Sequence, residues 1–355
     1  MTIELRYLKD GCKIKDSDQC ISARINSEGY WCSFRVRNRF YRRCMDGSVV
    51  KGAEALTMSA ALVKKVHEEF ELWVQGVACN DLTIKASQGL TTLDYENQAR
   101  LYRVVYPEEV SILPPDRYSD IVLMPAIGCP NRRCTFCAFY KDKPYKILSE
   151  QAFTDHLTAV KQLYRGKVSS SPGVFLGSAN AMALSQRRLM FCLEVIKEKL
   201  GTFKREIGSF IDPDFSAKRS AEDWSELREA GLRHIVVGLE TGWSELRASL
   251  GKAGDLTKCV STINTARGSG VSIGLTILAG AAPRQQRMEN LKQTMMTIEN
   301  LELTSEDLIY LSPLSRDGVV VKGAIDEQKE MKEVFSAVTE ARIIPYQMNR
   351  FQYFM

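Results

Sequence analysis

Apolar and polar positions recur with two different periods along this chain, and the change of period divides it. From Tyr30 to Phe40 the even positions Tyr30, Cys32, Phe34, Val36 and Phe40 are largely apolar, interrupted by Asn38, while Arg35, Arg37 and Arg39 take odd positions. Period two predicts a strand with one buried face and one cationic face. A helix is expected over residues 52–76, where Leu62, Val63, Val66, Phe70 and Trp73 recur at helical spacing. Pro107, Pro114 and Pro115 then punctuate a connecting segment.

Beyond Pro115 short apolar runs alternate with amphipathic stretches. Strands are expected at 121–124, 174–176, 206–211, 235–238, 271–278 and 308–311. Helices are expected near 149–164, 185–200, 221–230, 256–268 and 288–301. Six strands separated by helices indicate βαβ units and a parallel sheet. The expected organisation is α/β: a small basic α+β segment over 1–115, a partial (β/α)6 barrel over 116–315, and a segment over 316–355 that closes the barrel mouth.

The chain has 355 residues, 45% hydrophobic and 26% charged, which is ordinary for a globular protein and excludes disordered and low-complexity classes. No apolar run approaches the roughly 20 residues needed to span a bilayer. The first ten residues carry Glu4, Arg6, Lys9 and Asp10 and lack a secretory apolar stretch, so a cytoplasmic protein is expected. Ten cysteines are then expected as reduced thiols, some of them available to metal. The three histidines His67, His156 and His234 leave little room for His-based catalysis, and neither a Walker loop nor a G-x-G-x-x-G fingerprint occurs. Of the net +5, residues 1–60 supply 11 Lys/Arg against 7 Asp/Glu.

The sharpest signal is Gly128-Cys129-Pro130-Asn131-Arg132-Arg133-Cys134-Thr135-Phe136-Cys137, directly after the first strand of the α/β region. C-x4-C-x2-C can aim three thiolates at one centre, and loops at the carboxyl ends of parallel strands are where such folds place chemistry. A structural zinc needs a fourth protein ligand, which no nearby Cys or His supplies. A redox disulfide needs only two cysteines. A [4Fe–4S] cluster on three thiolates keeps one iron open, which suits Cys129, Cys134 and Cys137.

This loop resembles the cluster loop of the radical S-adenosylmethionine (SAM) superfamily, in a variant with x4 in place of the more frequent x3. The continuation Ala138-Phe139-Tyr140-Lys141 also fits, and the pattern is nearest the coproporphyrinogen-dehydrogenase-like, cobalamin-independent branch. The resemblance covers residues 118–315. It implies a [4Fe–4S] cluster on Cys129, Cys134 and Cys137, with SAM contacted by Phe136, Tyr140, Gly177, Ser178, Asn180, Ser209, Asp212, Glu240 and Leu278. Phe210 stands where that branch has a Glu. Reductive cleavage of SAM to a 5′-deoxyadenosyl radical, which takes hydrogen from a small anionic metabolite of a biosynthetic pathway, is the implied activity. A reducing partner such as flavodoxin or ferredoxin is implied with it.

Two other functions are kept in view. The Arg35/Arg37/Arg39 stripe, extended by Arg42 and Arg43 and interleaved with Tyr30, Trp31, Phe40 and Tyr41, suits an enzyme that modifies RNA. A zinc-stabilised binding module is the non-catalytic reading. Cys12, Cys20, Cys32 and Cys44 lack a C-x2-C pair, and Cys32 fits the apolar face of a strand, so packed thiols are expected there, with an auxiliary cluster or zinc as the alternative; Cys79, Cys192 and Cys259 are expected as packed thiols on or beside helices. Arg342, Tyr346 and Arg350 in the aromatic tail are candidate substrate contacts.

Overall fold

The computed structural model describes residues 3–52, 56–164, 171–177, 179–253, 255–316 and 319–346. Ser178 and Arg350 lie outside them. The chain forms two compact units, the first ending at Glu109 and the second beginning at Val110.

The first unit is an antiparallel meander of seven strands in sequential order: β1 (Ile3–Leu8), β2 (Gly11–Asp16), β3 (Ile21–Asn26), β4 (Trp31–Val36), β5 (Arg39–Arg43), β6 (Val49–Lys51) and β7 (Leu56–Thr57). Helices α1 (Ala60–Gln75), α2 (Leu82–Gln88) and α3 (Thr92–Val105) follow. Cys12, Ile14, Ala23, Ile25, Phe34 and Tyr41 on the inner face pack with Val66, Phe70 and Trp73 of α1 in one buried cluster. The α+β expectation holds, with local differences. The run 30–40 is two strands, because Arg37 and Asn38 adopt left-handed conformations (φ 44° and 57°) that turn a tight hairpin. Its arginines therefore do not share a face. Arg35 points outward, Arg39 pairs with Glu69 at 3.3 Å, and Arg43 is fully buried against Tyr30, Trp31 and Tyr95. The first long helix starts at Ala60, since Leu56–Thr57 completes the sheet. Cys12, Cys32 and Cys44 are buried and Cys20 is exposed. Burial pushes the Cys12 thiol up to about 11 and the Cys44 thiol up to about 12, as for packed neutral thiols.

The second unit opens with β8 (Ile121–Leu123) and a small ribbon of β9 (Ala126–Ile127) with β10 (Lys146–Ile147). Then come α4 (Glu150–Leu163), β11 (Val174–Leu176), α5 (Gln186–Leu200), β12 (Ile207–Ile211), α6 (Ala221–Glu229) and β13 (Leu232–Glu240). The chain continues through α7 (Ser244–Ser249), α8 (Thr257–Gly268), β14 (Ser272–Ala279), α9 (Arg287–Asn300) and β15 (Leu308–Pro313). It ends with the ribbon β16 (Ser315–Arg316) and β17 (Val319–Val320), α10 (Ala324–Ser336) and β18 (Arg342–Pro345). Strands β8, β11, β12, β13, β14, β15 and β18 lie parallel in that spatial order. All six expected strands are present. The sheet has a seventh: 342–345, expected as part of a segment across the barrel mouth, pairs with β15 instead, because α10 supplies the crossover that a parallel neighbour requires. Cys192 and Cys259 are buried on α5 and α8. No described helix is long and apolar enough to cross a membrane.

Two histidines are sealed in these cores. His67 accepts from Trp31 Nε1 at 3.1 Å, and His234 lies between Ser272 Oγ (2.9 Å) and Tyr310 Oη (3.3 Å). Burial lowers both to about 3, with a nearby arginine adding to it. Their unfolded value is near 6.5, so each contributes stability that is complete above that pH and is lost as pH falls from 6.5 toward 3. Urea melts should show midpoints flat from pH 8 to 7 and falling by pH 4.5, with His67→Gln flattening part of the fall. A pH-independent midpoint would contradict the buried neutral state.

Candidate active site

The cysteine loop runs from β9 to β10 and is built on tight backbone contacts. Gly128 has φ +73°, and a Cβ there would meet Pro144 O at 2.3 Å, so only glycine fits. Cys129 N donates to Lys143 O at 3.2 Å. Arg132 is left-handed (φ 55°) and turns the chain between Cys129 and Cys134, where the loop is one residue longer than the common spacing. Cys137 N closes a turn onto Cys134 O.

A second segment, Leu250-Gly251-Lys252 after α7, clamps this loop. Thr135 N donates to Leu250 O at 3.0 Å, and Asn131 Nδ2 donates to Gly251 O and to Cys134 Sγ, both at 3.1 Å. Gly251 has φ +79°, and a Cβ there would meet Arg133 O at 2.2 Å. Gly251→Ala should therefore cost roughly 3 kcal/mol from backbone strain and overlap. A lowered melting temperature and reduced iron uptake would check this; wild-type values for both would sink the clamp.

Lys252 then projects inward. Its ammonium lies 3.1 Å from Asp212 Oδ2 at the end of β12 and 3.7 Å from Glu240 Oε1 at the end of β13, and all three side chains are buried. Glu240 sits at an irregularity in the β13–β14 register with φ 67°, an uncommon conformation for a non-glycine residue. Burial raises the Glu240 carboxyl, and Lys252 opposes that. Burial lowers the Lys252 ammonium, but Asp212 and Glu240 outweigh it and hold the group above its usual range, so it stays charged.

These groups share one cavity of about 210 Å³. Cys129, Cys134 and Cys137 line it together with Phe136, Tyr140, Asn180, Asp212, Glu240, Leu278 and Lys252. Asn180 is fully buried, and its side chain holds Asp212 O (3.3 Å) and Ser216 Oγ (3.2 Å), fixing the turn that aims Asp212. Phe136 and Leu278 join a small apolar cluster with Leu246 and Leu250. Two candidates are placed elsewhere. Ser209 is buried with its hydroxyl on Leu176 O and Phe210 O, and Gly177 packs where a Cβ would meet Val122 Cγ1 at 2.6 Å. Phe210 lines the cavity, edge-on to Phe175. Tyr346 lines it too, backed by Tyr310 at 5.9 Å, whose hydroxyl donates to Asp116 at 2.8 Å. Lys252 escaped the sequence reading because it has no periodicity or motif; only the adjacent Gly251 hints at a turn.

The cysteines' surroundings fit an iron–sulfur cluster. Among the described residues no three His, Cys, Asp or Glu side chains are placed around a single metal ion. Each thiolate of a cluster binds a different iron, so the sulfurs need to border a cavity instead of meeting at a point. Burial raises the Cys134 thiol to about 12, with Lys252 pulling the other way. Burial also raises Cys137, while backbone N–H groups of Phe139 and Tyr140 favour its thiolate. Metal binding would release these protons and leave thiolates in a site already supplied with donors for sulfur.

The radical SAM superfamily profile matches residues 124–291, the segment that carries the three loop cysteines, Asn180, Asp212, Glu240 and Lys252. Residues 124–291 are a radical SAM superfamily domain. Such domains use a [4Fe–4S] cluster and SAM. No curated protein matches the sequence. Solved structures to which this chain is similar include those of three proteins. The cobalamin-dependent S-adenosylmethionine radical enzyme OxsB is 16% identical (TM-score 0.42; 63% of this chain, 31% of that one). Coproporphyrinogen III oxidase HemN from Escherichia coli is 15% identical (TM-score 0.43; 68% and 56%). Methylornithine synthase PylB is 13% identical (TM-score 0.44; 77% and 83%). The chain spans about a third of the length of OxsB.

Proposed function

We propose that the chain is a radical SAM enzyme in which Cys129, Cys134 and Cys137 hold the cluster and the Asp212–Lys252–Glu240 group receives the methionyl end of SAM. The observation that carries this is one cavity bordered by three cysteines and a buried carboxylate–ammonium–carboxylate set. When bound, the cluster supplies the electron that splits SAM into methionine and a 5′-deoxyadenosyl radical able to take hydrogen from unactivated carbon. The residues have separable tasks. Lys252 meets a carboxylate, while Asp212 and Glu240 accept from an ammonium group and oppose the sulfonium charge. Phe136 and Leu278 offer apolar surface beside them, and the walls limit water.

Among the described lining residues Lys252 is the one cation, and it is already paired twice, whereas Phe139, Phe210, Ile211, Val236, Pro313 and Tyr346 give apolar and aromatic walls. A small substrate, uncharged in the part that enters, fits those walls better than an anionic one. Anaerobic reconstitution with iron and sulfide, then reduction with dithionite or a flavodoxin in the presence of SAM, should yield 5′-deoxyadenosine and methionine. Brown, fully loaded protein that leaves SAM intact would overturn the proposal.

A further inference from the structure

We propose that the outer face of the sheet in the first unit binds single-stranded RNA. The pairing register aligns cations that the linear sequence keeps apart. Arg6 on β1 stands directly opposite Lys13 on β2, and Lys13 stands opposite Arg24 on β3. The same row continues through Ser33 on β4 to Arg42 on β5. A neighbouring row runs Lys15, Ser22, Arg35 and Phe40. Arg6, Lys13, Lys15, Arg24 and Arg35 are exposed and Arg42 is half-buried, while the opposite face forms the buried core. Two of these cations pair with acids: Lys15 with Glu4 at 3.5 Å and Arg24 with Asp10 at 2.7 Å.

Like charges directly opposite on paired strands destabilise a sheet. Two such juxtapositions in succession, Arg6–Lys13 and Lys13–Arg24, are a cost that a polyanion lying across the strands removes. Strands are about 4.8 Å apart, so a row crossing five strands tracks an extended backbone for roughly 19 Å. Arg35 lies over the Phe40 ring at 5.0 Å and presents a guanidinium plane on which an unpaired base can stack. Ser22 and Ser33 set hydroxyls between the cations within reach of a ribose 2′-hydroxyl, which selects RNA over DNA. The proposal stands on the first unit alone and does not depend on the radical reading.

Fluorescence anisotropy with the full-length protein and a labelled 20-nucleotide single-stranded RNA of mixed sequence tests it. Binding is expected at 50 mM salt, weakening linearly on a log–log plot as the phosphates are screened. K13E/R24E should weaken binding at least about tenfold and flatten the salt slope by about two, one for each phosphate no longer neutralised. K64E/K65E on exposed positions of α1 makes the same change in net charge and should leave binding within about twofold. Lys13→Glu alone should keep or raise the melting temperature, because it places an acid between two arginines; this separates lost binding from lost folding. Absence of wild-type binding, equal losses in the two double variants, or equally tight binding of the matching DNA would each overturn the assignment.

Discussion

Cys134→Ala, reconstituted anaerobically beside the wild type, is expected to emerge colourless or with a weakly held cluster and to form 5′-deoxyadenosine at background level. The reason is local. Cys134 is the most buried of the three loop cysteines, and its sulfur accepts from Asn131, whose side chain also holds Gly251 O of the clamping segment. Removing the sulfur deletes one of the three proposed iron ligands, and the bond from Asn131 to Gly251 still ties the loop in place. Circular dichroism of the variant should therefore match the wild type. Cys192→Ala provides the matched control: that thiol is buried on α5, away from the cavity, and the variant should stay brown and active. Wild-type rates of SAM cleavage in Cys134→Ala would sink the assignment of the cluster. Equal loss in Cys192→Ala would show that the effect is on folding.

The parts of this molecule that were legible in the sequence are those whose determinants are local. Strands β8 and β11–β15 read as short apolar runs because a parallel sheet is covered on both faces. The cysteine loop stood out because its three cysteines fall within nine residues, and no tertiary information was needed to group them. What was missed depends on tertiary context. Strand β18 has only four residues at a sheet edge, and its helix α10 buries Ala324, Met331 and Phe335 on an otherwise polar sequence, so neither rises above its surroundings. The hairpin at Arg37–Asn38 contains no glycine, and its reversal was hidden inside a run that looked continuous. It put Arg43 on the core side and left Arg35 outside, so the apparent arginine stripe dissolved. Arg35 and Arg42 instead share the outer face with Arg6, Lys13, Lys15 and Arg24, which the pairing register brings together. Lys252 belongs to the same class: forty residues separate it from Asp212, and only the tertiary fold brings their charged groups within 3.1 Å.

Lys252→Met is expected to have the second large effect, and its pH dependence distinguishes it from generic damage. Methionine matches the length of the aliphatic stem but leaves Asp212 and Glu240 as two buried carboxylates without their shared cation. Breaking a buried pair by removing one partner costs roughly 3–5 kcal/mol; the cavity beside it admits water, which favours the lower end. Burial already holds the Glu240 carboxyl above its usual range, and Lys252 is the largest influence opposing that. Without Lys252 the native Glu240 binds its proton more tightly still. A carboxyl whose folded pKa exceeds its unfolded value contributes stability at low pH that is lost as pH rises through the folded value. The variant should therefore show its largest deficit in unfolding free energy at pH 8 and recover part of it at pH 5. The wild-type ammonium has its own pKa raised, so its contribution is complete across this range and fades only above about 10.5, the ordinary lysine value. Lys252→Arg, which keeps the charge, should restore most of the stability, whereas Lys252→Met should also lose SAM affinity in equilibrium dialysis at pH 6. A deficit of the same size at pH 5 and pH 8 would mean that packing of the stem, and not the charge between two carboxylates, is what Lys252 contributes.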